Sequence, residues 1–133
     1  MKIKDIMHEI VRVPHNVRVA DVAVIMDERS TGSVLLEDNG KPVGLITERD
    51  ILRKVVAKKL NPYNVKALDI ASFPLITVPP DESLCESARK MGENNIRRIF
   101  VEENGRILGK VTSGAITKNV KYVQAERIVG QRF

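Results

Sequence analysis

Gly44-Leu45-Ile46-Thr47-Glu48-Arg49-Asp50-Ile51-Leu52 joins the end of a predicted strand to the first turn of a predicted helix. Thr47 stands at the N-cap position of that helix, and Asp50 follows three residues later. This spacing brings a hydroxyl, a carboxylate and the free N–H groups of the first turn together. A helix end of this kind binds anions and hydroxyl groups, because it carries unpaired donors and a partial positive charge. The alternative is an ordinary capping box, in which the two side chains only satisfy the backbone.

The same pattern occurs again further along the chain, which reveals an internal repeat. Thr47 corresponds to Thr112, an offset of 112 − 47 = 65 residues. Residues 11–53 and 76–118 align at this offset without a gap and share 11 identical residues in 43 positions. A unit of this length that is present only twice does not fit a solenoid or a propeller. It indicates one module whose two halves share a core.

Each copy predicts the element order β-α-β-β-α. A short apolar strand ends at Pro14 in the first copy and at Pro79-Pro80 in the second. A helix follows, and two further strands form a hairpin around the Asn-Gly turns at Asn39 and Asn104. The first helices carry apolar residues at helical spacing, namely Val19, Val22, Ala23 and Met26 in one copy and Leu84, Ala88 and Met91 in the other.

Three details of the helices are also predicted. Ser83 and Glu86 have the spacing of a capping box at the start of the second copy's first helix. The second helix of the first copy is expected to end at Asn61-Pro62. Its apolar stripe is expected to consist of Ile51, Leu52, Val55 and Val56.

The sequence therefore divides into a first repeat at 1–60, a linker at 61–66, a second repeat at 67–118 and a tail at 119–133. The tail carries apolar residues between basic ones and is predicted to be a short amphipathic helix. The fold class is α+β, a mixed α/β arrangement of two β-α-β-β-α repeats related by a pseudo-two-fold axis.

Composition restricts the function further. A net charge of +5 permits nucleic acid as a partner, but the basic residues are scattered and there is no Trp for base stacking. Cys85 is the only cysteine, so an internal disulfide is excluded. His8 and His15 have no acidic or thiol partners at ligand spacing, and we predict that both are surface residues and that no metal is bound. No carboxylate pair or activated Ser or Cys suggests catalysis, so we do not expect an enzyme.

The hydrophobic segments exclude a membrane protein. The longest apolar runs are a handful of residues, far short of a membrane span. The first residues lack the apolar core of a signal peptide. We therefore expect a cytoplasmic protein without a membrane partner.

At this point the sequence resembles a known family. The element order, the hairpins and the Gly-x-x-Thr-x-x-Asp pattern at 44–50 are similar to those of the cystathionine-β-synthase-type domain, or CBS domain, present as a tandem pair over about residues 5–118. The resemblance implies a regulatory module that binds AMP, ADP, ATP or S-adenosylmethionine in clefts between the two halves. In this family, a cleft combines the Thr-x-x-Asp of one repeat with the first strand and the hairpin start of the other.

Carried onto this sequence, the resemblance implies one complete adenine-nucleotide site. Asp50 would accept the ribose hydroxyls, and Arg97 and Arg98 would meet the phosphate, since guanidinium groups match phosphate oxygens in pairs. The alternative for the two arginines is that they are merely solvated. The full set implied for this site is Thr47, Asp50, Leu75, Ile76, Ile96, Arg97 and Arg98, with Leu75 and Ile76 flanking the adenine.

The second cleft departs from the family pattern. Ala115 takes the place of the ribose-binding acid, and Gly32 and Ser33 take the place of the arginine pair. We expect this cleft to bind a nucleotide only weakly. Its candidate residues are Ile10, Val11, Ser33 and Thr112.

Together these features predict a sensor of adenine nucleotide, AMP above all, with ADP or ATP as alternatives, that acts on a partner protein in trans. A homodimer is also expected, as the resemblance implies. Some of the apolar helix residues must fill the core, and the remainder would build the interface; the set is Val19, Val22, Met26, Leu84, Ala88 and Met91. A nucleic-acid-binding module with a basic surface is one alternative function. An S-adenosylmethionine sensor is another, and the arginine pair disfavours it because that ligand is cationic at sulfur and has no phosphate.

Overall fold

A computed structural model describes residues 1–119, 121 and 124 of the chain. Within these residues the protein is a mixed α+β structure with two three-stranded sheets and five α-helices, so the predicted fold class is confirmed. No helix in the described part is both long and apolar enough to cross a membrane. The helix predicted for residues 119–133 falls almost entirely outside the described residues.

The first compact unit comprises Ile10–Leu75. In its sheet, β1 runs parallel to β2, and β2 pairs antiparallel with β3. Asn39 and Gly40 form the hairpin tip with φ angles of 51° and 79°, the left-handed conformation that an Asn-Gly turn requires. The elements are β1 (Arg12–Pro14), α1 (Val19–Arg29), β2 (Ser33–Asp38), β3 (Lys41–Thr47), α2 (Glu48–Ile51), a π-helical turn (Leu52–Val56) and α3 (Ala67–Ile70).

The second compact unit is discontinuous, because it combines Met1–Glu9 with the chain from Ile76 onward. Its sheet repeats the same pattern, with β4 parallel to β5 and β5 antiparallel to β6. The hairpins also share their register, since Ser33 pairs with Thr47 in one unit and Arg98 with Thr112 in the other. The elements are a 3-10 turn (Ile3–Asp5), β4 (Thr77–Val78), α4 (Leu84–Glu93), β5 (Arg98–Glu103), β6 (Arg106–Thr112) and α5 (Ser113–Lys118).

Each unit builds its own hydrophobic core from one face of its hairpin. Alternate strand residues point to the same face of a sheet, so Val34 and Leu36 lie together in the core of the first unit. The second unit has the equivalent pair, Ile99 and Val101. The long helices contribute Val19, Val22 and Met26 from α1 and Leu84 and Met91 from α4 to these cores.

Each repeat has a short segment ahead of its first strand, which contains His8 in the first repeat and Ser72 in the second. These lead-in segments are exchanged between the two compact units. Ser72 and Leu45 exchange two backbone hydrogen bonds of 2.9 and 3.0 Å within the first unit, whereas His8 and Lys110 do the same at 2.8 and 3.0 Å within the second. The lead-in of each repeat therefore packs on the hairpin of the other repeat. The predicted division at 1–60, 61–66 and 67–118 concerns repeats in the sequence, whereas the compact units are groups of residues in space. The predicted division therefore stays a prediction.

This exchange explains the glycine that recurs in both copies. A Cβ atom at Gly44 would lie 2.7 Å from the Cβ atom of Ala71. A Cβ atom at Gly109 would lie 2.7 Å from the backbone oxygen of His8. Real side chains do not approach this closely, so each lead-in can lie against its hairpin only where the strand carries no side chain.

Most of the apolar helix residues that the sequence divides between core and dimer interface belong to the core, since Val19, Val22, Met26, Leu84 and Met91 are buried in their own units. Ala88 is only partly buried. The homodimer itself stays a prediction. The exposed large apolar residues of the described helices are Val24 in α1, at 54% exposure, Leu68 in α3, at 41%, and Leu52 and Val56 in the π-helical turn, each at 59%.

Three helix predictions need correction. The expected stripe of the second helix splits, because the π-helical turn buries Val55 while it leaves Leu52 and Val56 in solvent. The helix also ends before Asn61-Pro62, since Lys59 already has a φ angle of 59°. At α4, Ser83 Oγ accepts from the Glu86 N–H at 3.0 Å, but the Ser83 N–H donates to Glu82, so only half of the capping box forms.

Candidate functional site

The Thr47–Asp50 box lies where β3 passes into α2. The Thr47 N–H donates to Asp50 Oδ2 at 2.9 Å, and the Asp50 N–H donates to Thr47 Oγ1 at 3.1 Å. The predicted capping box is therefore present in full. The side chain of Asp50 is only 15% exposed. A carboxylate has about four acceptor positions, so Asp50 retains acceptor capacity beyond the capping bond in a sheltered place.

Lys54 is a part of this site that the sequence analysis missed. Its Nζ atom lies 3.1 Å from Asp50 Oδ1 and donates to the carbonyl oxygen of Ile70 at 3.0 Å. The signal was present in the sequence as an acid and a base four residues apart, the spacing of neighbours on a helix face. The two oxygens of Asp50 are thus held by different groups, one by the backbone and one by an ammonium group.

The corresponding place in the second unit has no acid. Thr112 Oγ1 accepts from the Ala115 N–H at 3.2 Å, so the cap is kept while the carboxylate is lost. Asn119, which corresponds to Lys54, donates through Nδ2 to the carbonyl oxygen of Ala115 at 2.9 Å. A cavity of about 320 Å³ opens here, lined by Ile6, His8, Thr112, Gly114, Ala115, Lys118 and Asn119.

The basic residues lie at the start of the second unit's hairpin. Arg97 is exposed, and its carbonyl oxygen accepts from the Ser113 N–H at 2.8 Å, which fixes it beside the start of α5. Arg98 is the first residue of β5 and is half-buried. In the described part of the chain, neither arginine side chain is paired with a carboxylate.

Lys110 adds a third positive charge to this region. It lies on β6 opposite Phe100, and its side chain shares a sheet face with Arg98 because alternate residues point the same way. Burial, together with the charge of Arg98, lowers the pKa of Lys110 below its ordinary value of 10.5. Both causes disfavour the charged form of Lys110, whereas a nearby anion would favour it.

The hairpin start of the first unit has no cation and lies beside a carboxylate of α2. Gly32 occupies the place that Arg97 holds in the second unit, and a Cβ atom at Gly32 would lie only 2.5 Å from Glu48 Oε1. The carbonyl oxygen of Gly32 accepts from the Glu48 N–H at 3.0 Å. Ser33 is fully buried. A carboxylate thus stands beside a backbone position where the other repeat carries a cation, a second feature that the sequence analysis missed.

The remaining candidate residues are apolar and line the first strands. Leu75, Ile76 and Ile96 are half-buried, and the carbonyl oxygen of Ile76 accepts from the Phe100 N–H at 3.0 Å. Val11 has the equivalent bond, since its carbonyl oxygen accepts from the Leu35 N–H at 2.8 Å. Within the first unit the structure places Thr47, Asp50, Leu75, Ile10, Val11 and Ser33, and within the second unit Ile76, Ile96, Arg97, Arg98 and Thr112.

The two histidines differ from each other. His8 is exposed, as predicted. His15 is half-buried and has an acidic neighbour, because its Nε2 atom lies 3.7 Å from Asp38 Oδ1. Asp38 is not at ligand spacing from His15 in the sequence, and the pairing of β1 with β2 brings the two residues together. Among the described residues, no group of three or more His, Cys, Asp or Glu side chains is arranged to hold a metal ion.

Comparison with known proteins gives two matches to one family. The family model of the CBS domain matches residues 3–57 and residues 67–122. An uncharacterized protein of Methanopyrus kandleri is 39% identical over 79% of this chain and 55% of its own length. The chain spans between 55% and 62% of the length of the first three curated relatives it matches.

Solved structures show the same fold. An uncharacterized conserved protein of Pyrococcus horikoshii has a TM-score of 0.81 and 32% identity, over 90% of this chain and 91% of its own. A CBS domain protein of Pyrobaculum aerophilum, solved in complex with AMP, has a TM-score of 0.77 and 28% identity, over 86% of this chain and 89% of its own. A hexameric CBS-CP12 protein from bloom-forming cyanobacteria has a TM-score of 0.81 and 25% identity, over 93% of this chain and 74% of its own.

Proposed function

Because this chain belongs to the CBS domain family, we propose that it is a regulatory module that binds an adenine nucleotide, with AMP as its main ligand. The observation that carries the proposal is the sheltered carboxylate of Asp50, which is held in a complete capping box and keeps acceptor capacity for sugar hydroxyls. The similar Pyrobaculum aerophilum protein in complex with AMP supports the choice of ligand.

The proposed site takes residues from both repeats, as the family pattern implies. Asp50 accepts hydrogen bonds from the ribose hydroxyls, with Thr47 beside it. Leu75, Ile76 and Ile96 line the adenine, because half-buried aliphatic side chains offer an apolar surface to a flat ring. Arg97 and Arg98 bind the phosphate, since both carry side chains without a carboxylate partner in the described part of the chain.

The second cleft of the proposal, with Ile10, Val11, Ser33 and Thr112, is weak for two reasons. Ala115 cannot accept a hydrogen bond from a ribose through its side chain. Glu48 adds a negative charge beside Gly32, at the position where a phosphate would need a cation. We therefore propose one nucleotide per chain at moderate concentration.

The rival functions are disfavoured by the same residues. S-adenosylmethionine carries a positive charge at sulfur, and Arg97, Arg98 and the half-buried Lys110 would repel it. A single-stranded nucleic acid is typically held by stacking on aromatic side chains, and the sequence has no Trp and only 4% aromatic residues. Its basic residues are scattered rather than gathered in one patch. Enzymes also carry CBS domains, as the similarity to an inosine-5'-monophosphate dehydrogenase of Nitrosopumilus maritimus shows, but we propose a non-enzymatic role for this chain.

Isothermal titration calorimetry with AMP, ADP, ATP, adenosine and S-adenosylmethionine tests the proposal. We expect AMP to bind most tightly, with one site per chain. S-adenosylmethionine is expected to bind far more weakly than AMP. If none of the adenine nucleotides binds at millimolar concentration, the proposed function is wrong.

We further propose that the protein is a cytoplasmic homodimer that signals to a partner protein in trans. Val24, Leu52 and Val56 present apolar surface on the first unit that a second copy would cover. Light scattering should therefore give a mass near twice 14.9 kDa. A monomer mass at micromolar concentration would contradict the dimer, and a sixfold mass would point to an assembly like that of the hexameric cyanobacterial relative.

A further inference from the structure

Lys54 belongs to a chain of contacts that no feature of the family pattern requires. Its ammonium group contacts Asp50 Oδ1 at 3.1 Å and the carbonyl oxygen of Ile70 at 3.0 Å. The first contact joins Lys54 to a residue of α2, and the second joins it to the last residue of α3. Lys54 also lies inside the π-helical turn Leu52–Val56, an irregularity that is frequent at functional sites.

An ordinary helix ion pair would explain the first contact but not the whole arrangement. Ion pairs four residues apart on a helix are normally exposed on both sides and weak. Here the carboxylate is only 15% exposed, while the lysine is 44% exposed and fastened to a second element. The carboxylate is thus the sheltered partner of this ion pair, and the lysine links it to α3.

The second repeat provides an internal comparison. At the offset of 65 residues, Ala115 replaces Asp50 and Asn119 replaces Lys54. Asn119 turns back to the carbonyl oxygen of its own helix. Acid and base are thus present together in one repeat and missing together in the other, as expected if the lysine serves the acid.

We propose that Lys54 is the positioning residue that makes the site selective for a ribose over a deoxyribose, an inference that rests on the proposed nucleotide function. The capping bond from Thr47 N–H holds one carboxylate oxygen, and Lys54 holds the other. Two anchors fix the plane of the carboxylate, whose terminal torsion is otherwise broad. The acceptor positions that remain on both oxygens then point in a fixed direction, as recognition of the two adjacent ribose hydroxyls requires.

Lys54 also compensates charge. A nucleotide brings a negative phosphate into the site that contains the negative Asp50, and these two charges repel each other. The ammonium group at 3.1 Å neutralises the carboxylate without occupying all of its acceptor positions. Removing the partner of a largely buried charge leaves that charge uncompensated, so the loss of Lys54 affects recognition at Asp50 rather than at the arginines.

The test compares AMP with 2′-deoxyadenosine 5′-monophosphate by calorimetry. The wild-type protein is expected to prefer AMP by about tenfold or more, the value of one hydrogen bond to a charged acceptor. In Lys54→Met this preference should fall to about twofold or less, whereas Lys54→Arg should retain it because an ion pair to Asp50 can still form. Lys58→Met is the matched control, because it removes an exposed lysine of the same segment.

Each result has a distinct meaning. If wild-type protein binds neither nucleotide, the proposed function fails and this inference fails with it. If Asp50→Ala loses binding while Lys54→Met keeps the wild-type preference for AMP, only the role of Lys54 is refuted, and the pair is an ordinary helix contact. Circular dichroism checks that each variant is folded. If Lys54→Met does not fold, Lys54→Gln takes its place. Its preference for AMP then supports or refutes the role of Lys54 in the same way.

Discussion

Replacing Asp50 with alanine is expected to weaken AMP binding by about a hundredfold or more. The carboxylate is proposed to accept from two ribose hydroxyls, and hydrogen bonds to a charged group are each worth roughly 1.5–3 kcal/mol, or about ten- to a hundredfold in affinity. The same change removes the acceptor for the Thr47 N–H, which should cost about 1 kcal/mol or less of stability. Calorimetry measures the affinity, and thermal unfolding shows that the variant remains folded.

Asp69→Ala is the control for this variant, because Asp69 is an exposed carboxylate in α3 of the same unit. It should bind AMP as the wild type does. The reverse change in the other repeat, Ala115→Asp, is expected to add little binding, since Glu48 and the missing arginines still disfavour a phosphate there. An Asp50→Ala variant that binds AMP with wild-type affinity would show that the nucleotide site has been assigned to the wrong residues.

The double variant Arg97→Ala/Arg98→Ala is expected to abolish the preference for AMP over adenosine. In the wild type this preference should amount to about ten- to a hundredfold for each charged contact to the phosphate. Adenosine has no phosphate, so its affinity should change little in the variant. The ratio of the two affinities therefore isolates the phosphate contact from any general effect on the site.

Arg106→Ala is the matched control for the arginine pair, because it removes an exposed arginine from β6 of the same hairpin. Its ratio of AMP to adenosine affinity should equal that of the wild type. Equal affinities of the wild-type protein for AMP and adenosine would mean that Arg97 and Arg98 do not contact the phosphate.

Much of the fold could be predicted from the sequence because the signals were local and present twice. The Asn-Gly pairs at residues 39 and 104 set two hairpins, and the offset between Thr47 and Thr112 showed that the copies are equivalent. The Thr47–Asp50 box could be predicted for the same reason, since a capping box is decided by residues three positions apart.

Other features depend on contacts that a local pattern does not contain. The stripe Ile51, Leu52, Val55 and Val56 fits an α-helix, but the π-helical turn changes the residue spacing and brings only Val55 fully inside. Glu48 was not recognised as part of a site, because its approach to Gly32 joins two elements that are apart in the sequence. The sequence indicates that Gly44 and Gly109 are equivalent positions of the two copies, but it does not indicate which segments lie against them.

The exchanged lead-ins also have a consequence for biosynthesis. Ile10–Leu75 is continuous, so all of its contacts become available as soon as the ribosome has released residue 75. The other unit must wait, because Lys4 pairs with Asp81, 77 residues later, and Ile3 is fully buried in a core that includes Val111. The first nine residues therefore remain without their partners through most of translation. A break within residues 61–66 would leave both fragments incomplete, since each would lack the short segment that the other carries.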